Sequence, residues 1–235
     1  MKGIYIAAIV ILVYILLQFL WTGYFMQKSK TLMAQTSYPH QLELGRGKEI
    51  SILFLGDSIT AGTGTNSFDQ TLVYKITKNL SDKNNVKIKN LAISGNKVAD
   101  LLKDDVPPKS DYTIIFIGSN DLFHFTKMEN FEDSTKKVLD KWADSADKVI
   151  LIGPANVGGA SAIPIFMKPF YFFMMPKYGK TLEKVSKNYP NVKYVYPGEY
   201  MEMLKRYGNT EAIDGFHPNE NGNSFWADVI LKNLD

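Results

Sequence analysis

A three-layer α/β/α sandwich around a mostly parallel, five-stranded sheet, preceded by one transmembrane helix, is the fold this sequence of 235 residues predicts. Three observations carry that expectation. Short, almost wholly apolar runs recur from Glu49 onward, segments with helical periodicity separate them, and no charge stands between Lys2 and Lys28. Strands buried on both faces read as continuous apolar runs, and their alternation with helices implies parallel pairing through right-handed crossovers. With 45% hydrophobic residues against 17 Gly and 10 Pro, a core is available, which excludes disordered and collagen-like chains. The net charge of +3 is small, and the lysines are scattered (Lys83, Lys87, Lys89, Lys136, Lys137), so no nucleic-acid partner is expected. Cysteine is absent, which removes disulfides, thiolate catalysis and Cys-ligated metal sites together.

The first element is the apolar run. From Gly3 to Met26 the only strongly polar side chain is Gln18, and Trp21, Tyr24 and Phe25 gather near the end. About 20 apolar residues suffice to cross a hydrocarbon core, and Trp and Tyr favour its interface. A cleaved signal peptide is the competing reading. The run exceeds the roughly 7–15-residue apolar region of such peptides, and Leu32-Met33-Ala34 lacks the small residue two positions before a cleavage site. Residues 1–26 are therefore expected to be a signal-anchor helix. Lysines on both flanks nearly balance, and a large C-terminal domain translocates largely regardless of charge. The domain is expected outside the cell membrane on a single-pass anchor. Residues 27–48, mixed in Gln, Ser, Thr, Pro and Gly, read as a polar tether.

Residues 49–235 then form one domain. Ile50–Leu55 is the first strand; Val86–Ile93, Tyr112–Ile117, Lys148–Ile152 and Val192–Tyr196 follow. Between them, Leu72, Val73, Ile76 and Leu80 share one helical face, as do Phe131, Thr135, Val138 and Trp142, which makes Trp142 a core residue. A last helix from about Asn219 to Leu234 turns Phe225, Val229, Ile230 and Leu234 inward. In such folds ligands bind at the carboxyl ends of the strands, so chemistry is sought there.

Gly56-Asp57-Ser58 follows the first strand, Ser94-Gly95-Asn96 the second, and Gly118-Ser119-Asn120-Asp121 the third; Asp214-Gly215-Phe216-His217 precedes the last helix. This set resembles the SGNH/GDSL hydrolase family, whose four blocks supply a serine, a glycine, an asparagine and an Asp-x-x-His pair in that order. The resemblance covers about Glu49 to Asp235, and implies a flavodoxin-like fold and esterase, lipase, thioesterase or carbohydrate-deacetylase activity. One block alone is weak; four in order at the right places of the α/β alternation are specific. The substrate stays open, since this fold hosts many ester chemistries.

The residues support the same chemistry on their own terms. A serine is a poor nucleophile until a base takes its proton, and there are three histidines. His40 falls in the tether, and His124 lacks an orienting acid other than Asp121. His217 has Asp214 three residues earlier, near enough to hold one ring nitrogen and leave the other for Ser58. The expected catalytic residues are Ser58, Asp214 and His217. The resemblance adds the oxyanion donors: the backbone N–H groups of Ser58 and Gly95 and the side-chain amide of Asn120. Asp57 is expected to brace the serine turn. No metal or nucleotide is expected: Asn219-Glu220-Asn221-Gly222 lacks the first ligand of a calcium loop, and Gly62-Thr63-Gly64 lacks the ending of a phosphate loop. No cofactor is therefore required.

Ile163–Pro176 is an apolar, aromatic excursion that carries no acid. Its three prolines argue against a long regular helix. It reads either as buried core or as a wall in which Phe170, Phe172 and Phe173 contact acyl chains or the membrane surface. The resulting expectation is a membrane-anchored serine esterase acting on an acyl-ester substrate, lipid-like or an acylated glycan. Acyl transfer to, or deacetylation of, cell-wall carbohydrate is the alternative. A non-catalytic accessory domain is the rival from another class.

Overall fold

The computed structural model describes residues 2–35, 38–155, 157–196 and 200–234. Met1, Asn156 and Asp235, which the sequence reading assigned to the anchor, the excursion's approach and the domain's end, lie outside the described residues.

Helix α1 (Lys2–Gln35) is the first element. Among the described residues it is the one helix long and apolar enough to cross a membrane, over Ile4–Leu32. It runs past Met26, so the first part of the expected tether is helical. The second part is a strand. β1 (Gln41–Gly45) pairs antiparallel with β3 (Asn84–Asn90), Leu42 opposite Ile88 and Leu44 opposite Val86. Alternating Leu42 and Leu44 give this short segment one apolar edge, and the ladder to β3 satisfies its backbone. The sheet therefore has six strands rather than five.

β2 (Lys48–Gly56), β4 (Ser110–Phe116), β5 (Ala146–Ile152) and β6 (Val192–Val195) complete it, in the order β1-β3-β2-β4-β5-β6 with every pair but the first parallel. Two-sided burial explains the continuous apolar runs. Leu53, Leu55, Ile115, Val149 and Leu151 face one helix layer, while Ile52, Phe54, Ile114, Phe116 and Ile150 face the other. The first layer holds α5 (Met128–Trp142) and α6 (Lys168–Ser186); Trp142 is fully buried there and its indole N–H donates to the carbonyl of Leu101 at 3.0 Å. The second layer holds α3 (Leu72–Ser81) and α8 (Glu220–Leu231), with Leu72, Ile76, Phe225 and Ile230 inward.

α6 corrects the reading of the excursion. Its 19 residues form a helix despite Pro169 in the first turn and Pro176 inside. A proline in the first turn removes no intrahelical hydrogen bond, and one interior proline removes a single one. Tyr171, Met175, Tyr178 and Leu182 bury a continuous stripe in the core, which offsets that loss. The opposite side of the same helix leaves Phe170, Phe172 and Phe173 exposed. The segment is thus core on one face and surface on the other.

Candidate active site

β2 stops at Gly56 because no side chain fits there. A Cβ on Gly56 would lie 2.5 Å from the carbonyl oxygen of Phe116 on the neighbouring strand. The chain turns directly into the single-turn helix α2 (Ser58–Ala61), with Asp57 as its N-cap accepting from the Ile59 N–H at 3.1 Å. This turn sets Ser58 at the carboxyl end of the sheet, where it lines a cavity of about 70 Å³.

β4 ends in the same region and leads through Gly118 into α4 (Ser119–Phe123). Gly118 takes φ 114°, a left-handed conformation that favours glycine. Ser119 and Asn120 both line the cavity. One Asn120 amide N–H donates to the Asn96 carbonyl at 3.0 Å, tying α4 to the turn after β3. That turn is also held by the Asn96 side chain on the Gly56 carbonyl at 3.4 Å and by Ser94 against Thr63 at 3.0 Å. Gly95 within it is exposed, takes φ 89° and has nothing within 4 Å of where a Cβ would stand. It does not itself line the cavity, but its loop is laced to three elements that do or that flank it.

The last block arrives on a tight hairpin joining α7 (Tyr200–Tyr207) to α8, closed by a bridge between Glu211 and Pro218. The Ala212 N–H donates to the His217 carbonyl at 2.8 Å. Asp214 is fully buried at its tip, where Oδ1 accepts from the N–H groups of Phe216 (3.1 Å) and His217 (3.0 Å). Oδ2 lies 2.6 Å from His217 Nδ1. Burial pushes the Asp214 carboxyl up, but the hydrogen bond and charge of His217, with the two backbone donors, outweigh it and hold the group below the usual carboxylate range. The carboxylate therefore fixes the tautomer with Nδ1–H donating and leaves Nε2 as the acceptor. His217 is 4% exposed and lines the cavity with Ser58 and Asn120. In this state the Ser58 hydroxyl makes no hydrogen bond to the imidazole among the described residues, a looseness common before substrate binds.

The other histidines are engaged elsewhere. His40 Nδ1 pairs with the Asn90 carbonyl at 3.1 Å, and the exposed His124 with the Asn120 carbonyl at 2.8 Å. Asn219-Glu220-Asn221-Gly222 is the start of α8, capped by Asn219. Among the described residues no group of three His, Asp or Glu is placed to hold a metal ion.

Phe170, Phe172 and Phe173 do not line the cavity. Phe172 packs over Gly158, and Phe173 lies under the Lys177 ammonium at 4.1 Å. The expectation of an acyl wall at these residues is corrected: α6 turns its inner stripe to the core, so this outer face points away from the site. The apolar walls are instead Val157, Ala160, Met203, Phe216, Phe225 and Trp226. Sequence reading missed them because on helices such residues look like ordinary core. It also missed Ser119 and Thr210, whose buried hydroxyls line the cavity without a hydrogen-bond partner.

Two further carboxyls have unusual environments. Burial pushes Asp57 up to about 6, only partly countered by the Ile59 N–H and the charge of His217. Burial likewise pushes Asp121 up to about 6, against the N–H of Val98, which it accepts at 2.9 Å. For Asp57 the folded pKa lies above the model value of 3.8, so its stabilising contribution is full below that value and is lost as pH rises through about 6. Asp57→Asn keeps the cap acceptor and removes the titration. Thermal melts should show the variant gaining roughly 2–3 kcal/mol over wild type between pH 4 and pH 7. A difference that stays constant across that range would contradict the environment described.

The sequence profile of the GDSL-like Lipase/Acylhydrolase family matches residues 54–225. Among solved structures, an acetylxylan esterase from Geobacillus stearothermophilus is 24% identical with a TM-score of 0.64, over 82% of this chain and 96% of that one. An α/β hydrolase enzyme from the metagenome of Lake Arreo, Spain, is 21% identical with a TM-score of 0.59, over 81% and 96%. At these identities the likeness establishes the fold. No curated protein matches the chain.

Proposed function

The chain belongs to the GDSL-like lipase/acylhydrolase family, an ester-hydrolysing family, and from that premise we propose that it is a membrane-anchored serine esterase removing short acyl groups from a polar alcohol or sugar. The observation that carries this reading is the convergence of Ser58, Asn120 and His217 on one small cavity, with buried Asp214 behind the imidazole. Ser58 Oγ attacks the ester carbonyl while His217 Nε2 takes its proton. The oxyanion meets the backbone N–H groups of Ser58 and Gly95 and the Asn120 amide N–H not used by Asn96. His217 then gives the proton to the leaving alcohol, and water repeats the sequence on the acyl-enzyme. Ionised Asp214 stabilises the imidazolium formed in each half.

Cavity size favours a short acyl group. About 70 Å³ is far below the roughly 300–1,000 Å³ of sites for drug-sized ligands, and holds an acyl group of a few carbons. An O-acetylated polysaccharide, the class named for one structural neighbour, fits this reading better than a long-chain lipid. The test is a series of esters of one alcohol. From acetyl to octanoyl, kcat/KM should fall roughly 10–100-fold, since overpacking a formed cavity costs about 1–3 kcal/mol. Equal or faster cleavage of the octanoyl ester would overturn the short-acyl reading.

A further inference from the structure

Beyond the active site, the surface that stands out is the outer face of α6. Phe170, Phe173, Lys177 and Lys180 follow one another at helical spacing and are all exposed, Phe173 at 67%. Phe125 joins them, 63% exposed with its ring 6.0 Å from that of Phe170. It holds φ 51°, a conformation that costs a residue without special freedom on the order of 1–3 kcal/mol. A strained turn that presents a phenylalanine to solvent needs a partner for that ring. No acidic residue occurs between Asp147 and Glu183, so the only charge on this face is basic.

The placement of α1 says what that partner is. Segment 161–166, which leads into α6, docks on the late part of the apolar run. Trp21 Nε1–H donates to the Ser161 carbonyl at 3.1 Å, and Thr22 Oγ1–H to the Ala162 carbonyl at 3.0 Å. The Ile165 N–H donates to Gln18 Oε1 at 3.1 Å, and Phe166 packs on Phe19 with centroids 6.0 Å apart. Gln18, the strongly polar side chain of the run, thus has its acceptor satisfied. At 1.5 Å per residue, Gln18 lies about 12 Å along the axis from Met26 at the run's end. If α1 spans the bilayer, the domain elements beside Gln18 and Trp21 stand at the depth of the headgroups and upper acyl chains.

We propose that the outer face of α6, with Phe125 and Phe166, is an interfacial membrane-docking surface that seats on an anionic bilayer beside the α1 span. This rests on the reading of α1 as a membrane anchor. Aromatic side chains enter the boundary of headgroups and chains by roughly 5–10 Å, and Lys177 and Lys180 meet anionic headgroups. The domain would then be held at a fixed height and tilt instead of swinging on a tether.

The absence of cysteine makes a clean test available in the full chain. Single cysteines are introduced in turn as Leu12→Cys in α1, Phe173→Cys on the proposed surface and Lys78→Cys on α3 in the opposite layer. Each carries an environment-sensitive fluorophore in vesicles of phosphatidylcholine and phosphatidylglycerol, with lipids bearing a nitroxide either near the headgroup or at mid-chain. The expected result is quenching at position 12 by the mid-chain nitroxide, at 173 by the shallow one, and at 78 by neither. Charge reversal at Lys177 and Lys180 should weaken quenching at 173 and leave that at 12 unchanged. Quenching at 12 without quenching at 173, or equal quenching at 173 and 78, overturns the docking surface and leaves the anchor standing. No quenching at 12 overturns the anchor and the proposal together.

Discussion

Ser58→Ala and His217→Ala are each expected to lower hydrolysis of a short-chain ester by roughly 10⁴-fold or more, with little further loss when combined. The reason is geometric. Among the described residues His217 is the histidine at the cavity, and Asp214 fixes it through two backbone hydrogen bonds and the contact to Nδ1. Without the serine there is no acyl-enzyme, and without the imidazole nothing takes its proton, so either loss disables the same step. His124→Ala should leave turnover nearly unchanged, since that ring is exposed and bound to the Asn120 carbonyl. Full activity in His217→Ala, or collapse in His124→Ala, would reverse the assignment. Steady-state rates on an acetyl ester with matched melting curves decide it.

Asn120→Ala carries the next largest expected effect, a loss of about 10²–10³ in kcat with little change in KM, as for removal of one oxyanion donor. Asn120 also bridges to the Asn96 carbonyl, so its removal loosens the loop that carries Gly95. A structural role alone would lower the melting temperature and leave kcat of the folded enzyme high. A raised KM at unchanged kcat would instead assign the amide to ground-state binding.

What could be read from the sequence follows from where the information is local. The five long strands were visible because both faces are buried, so Ile52 to Leu55 is apolar at every position. β1 was not, because an edge strand with only Leu42 and Leu44 inward looks like linker and is specified by its partner β3. α6 was obscured by its prolines, whose local cost is outweighed by the burial of Tyr171, Met175 and Tyr178. The polar blocks were legible because each performs a backbone task where it stands: Asp57 caps α2, Gly118 turns into α4, and Asp214 accepts from its own hairpin. The cavity walls were not. Met203, Phe225 and Trp226 come from two helices remote from Ser58 in sequence, and nothing in their spacing separates a wall from a core residue.

The central claim is that Ser58 is the nucleophile of an acyl-enzyme, and covalent labelling tests it most directly. The full chain is treated with a fluorophosphonate, digested, and the modified peptide identified by mass spectrometry. One adduct on Ser58, absent in Ser58→Ala and strongly slowed in His217→Ala, is the predicted result. An active enzyme that takes no label at Ser58, or takes it on another serine with Ser58→Ala still labelled, would contradict the account.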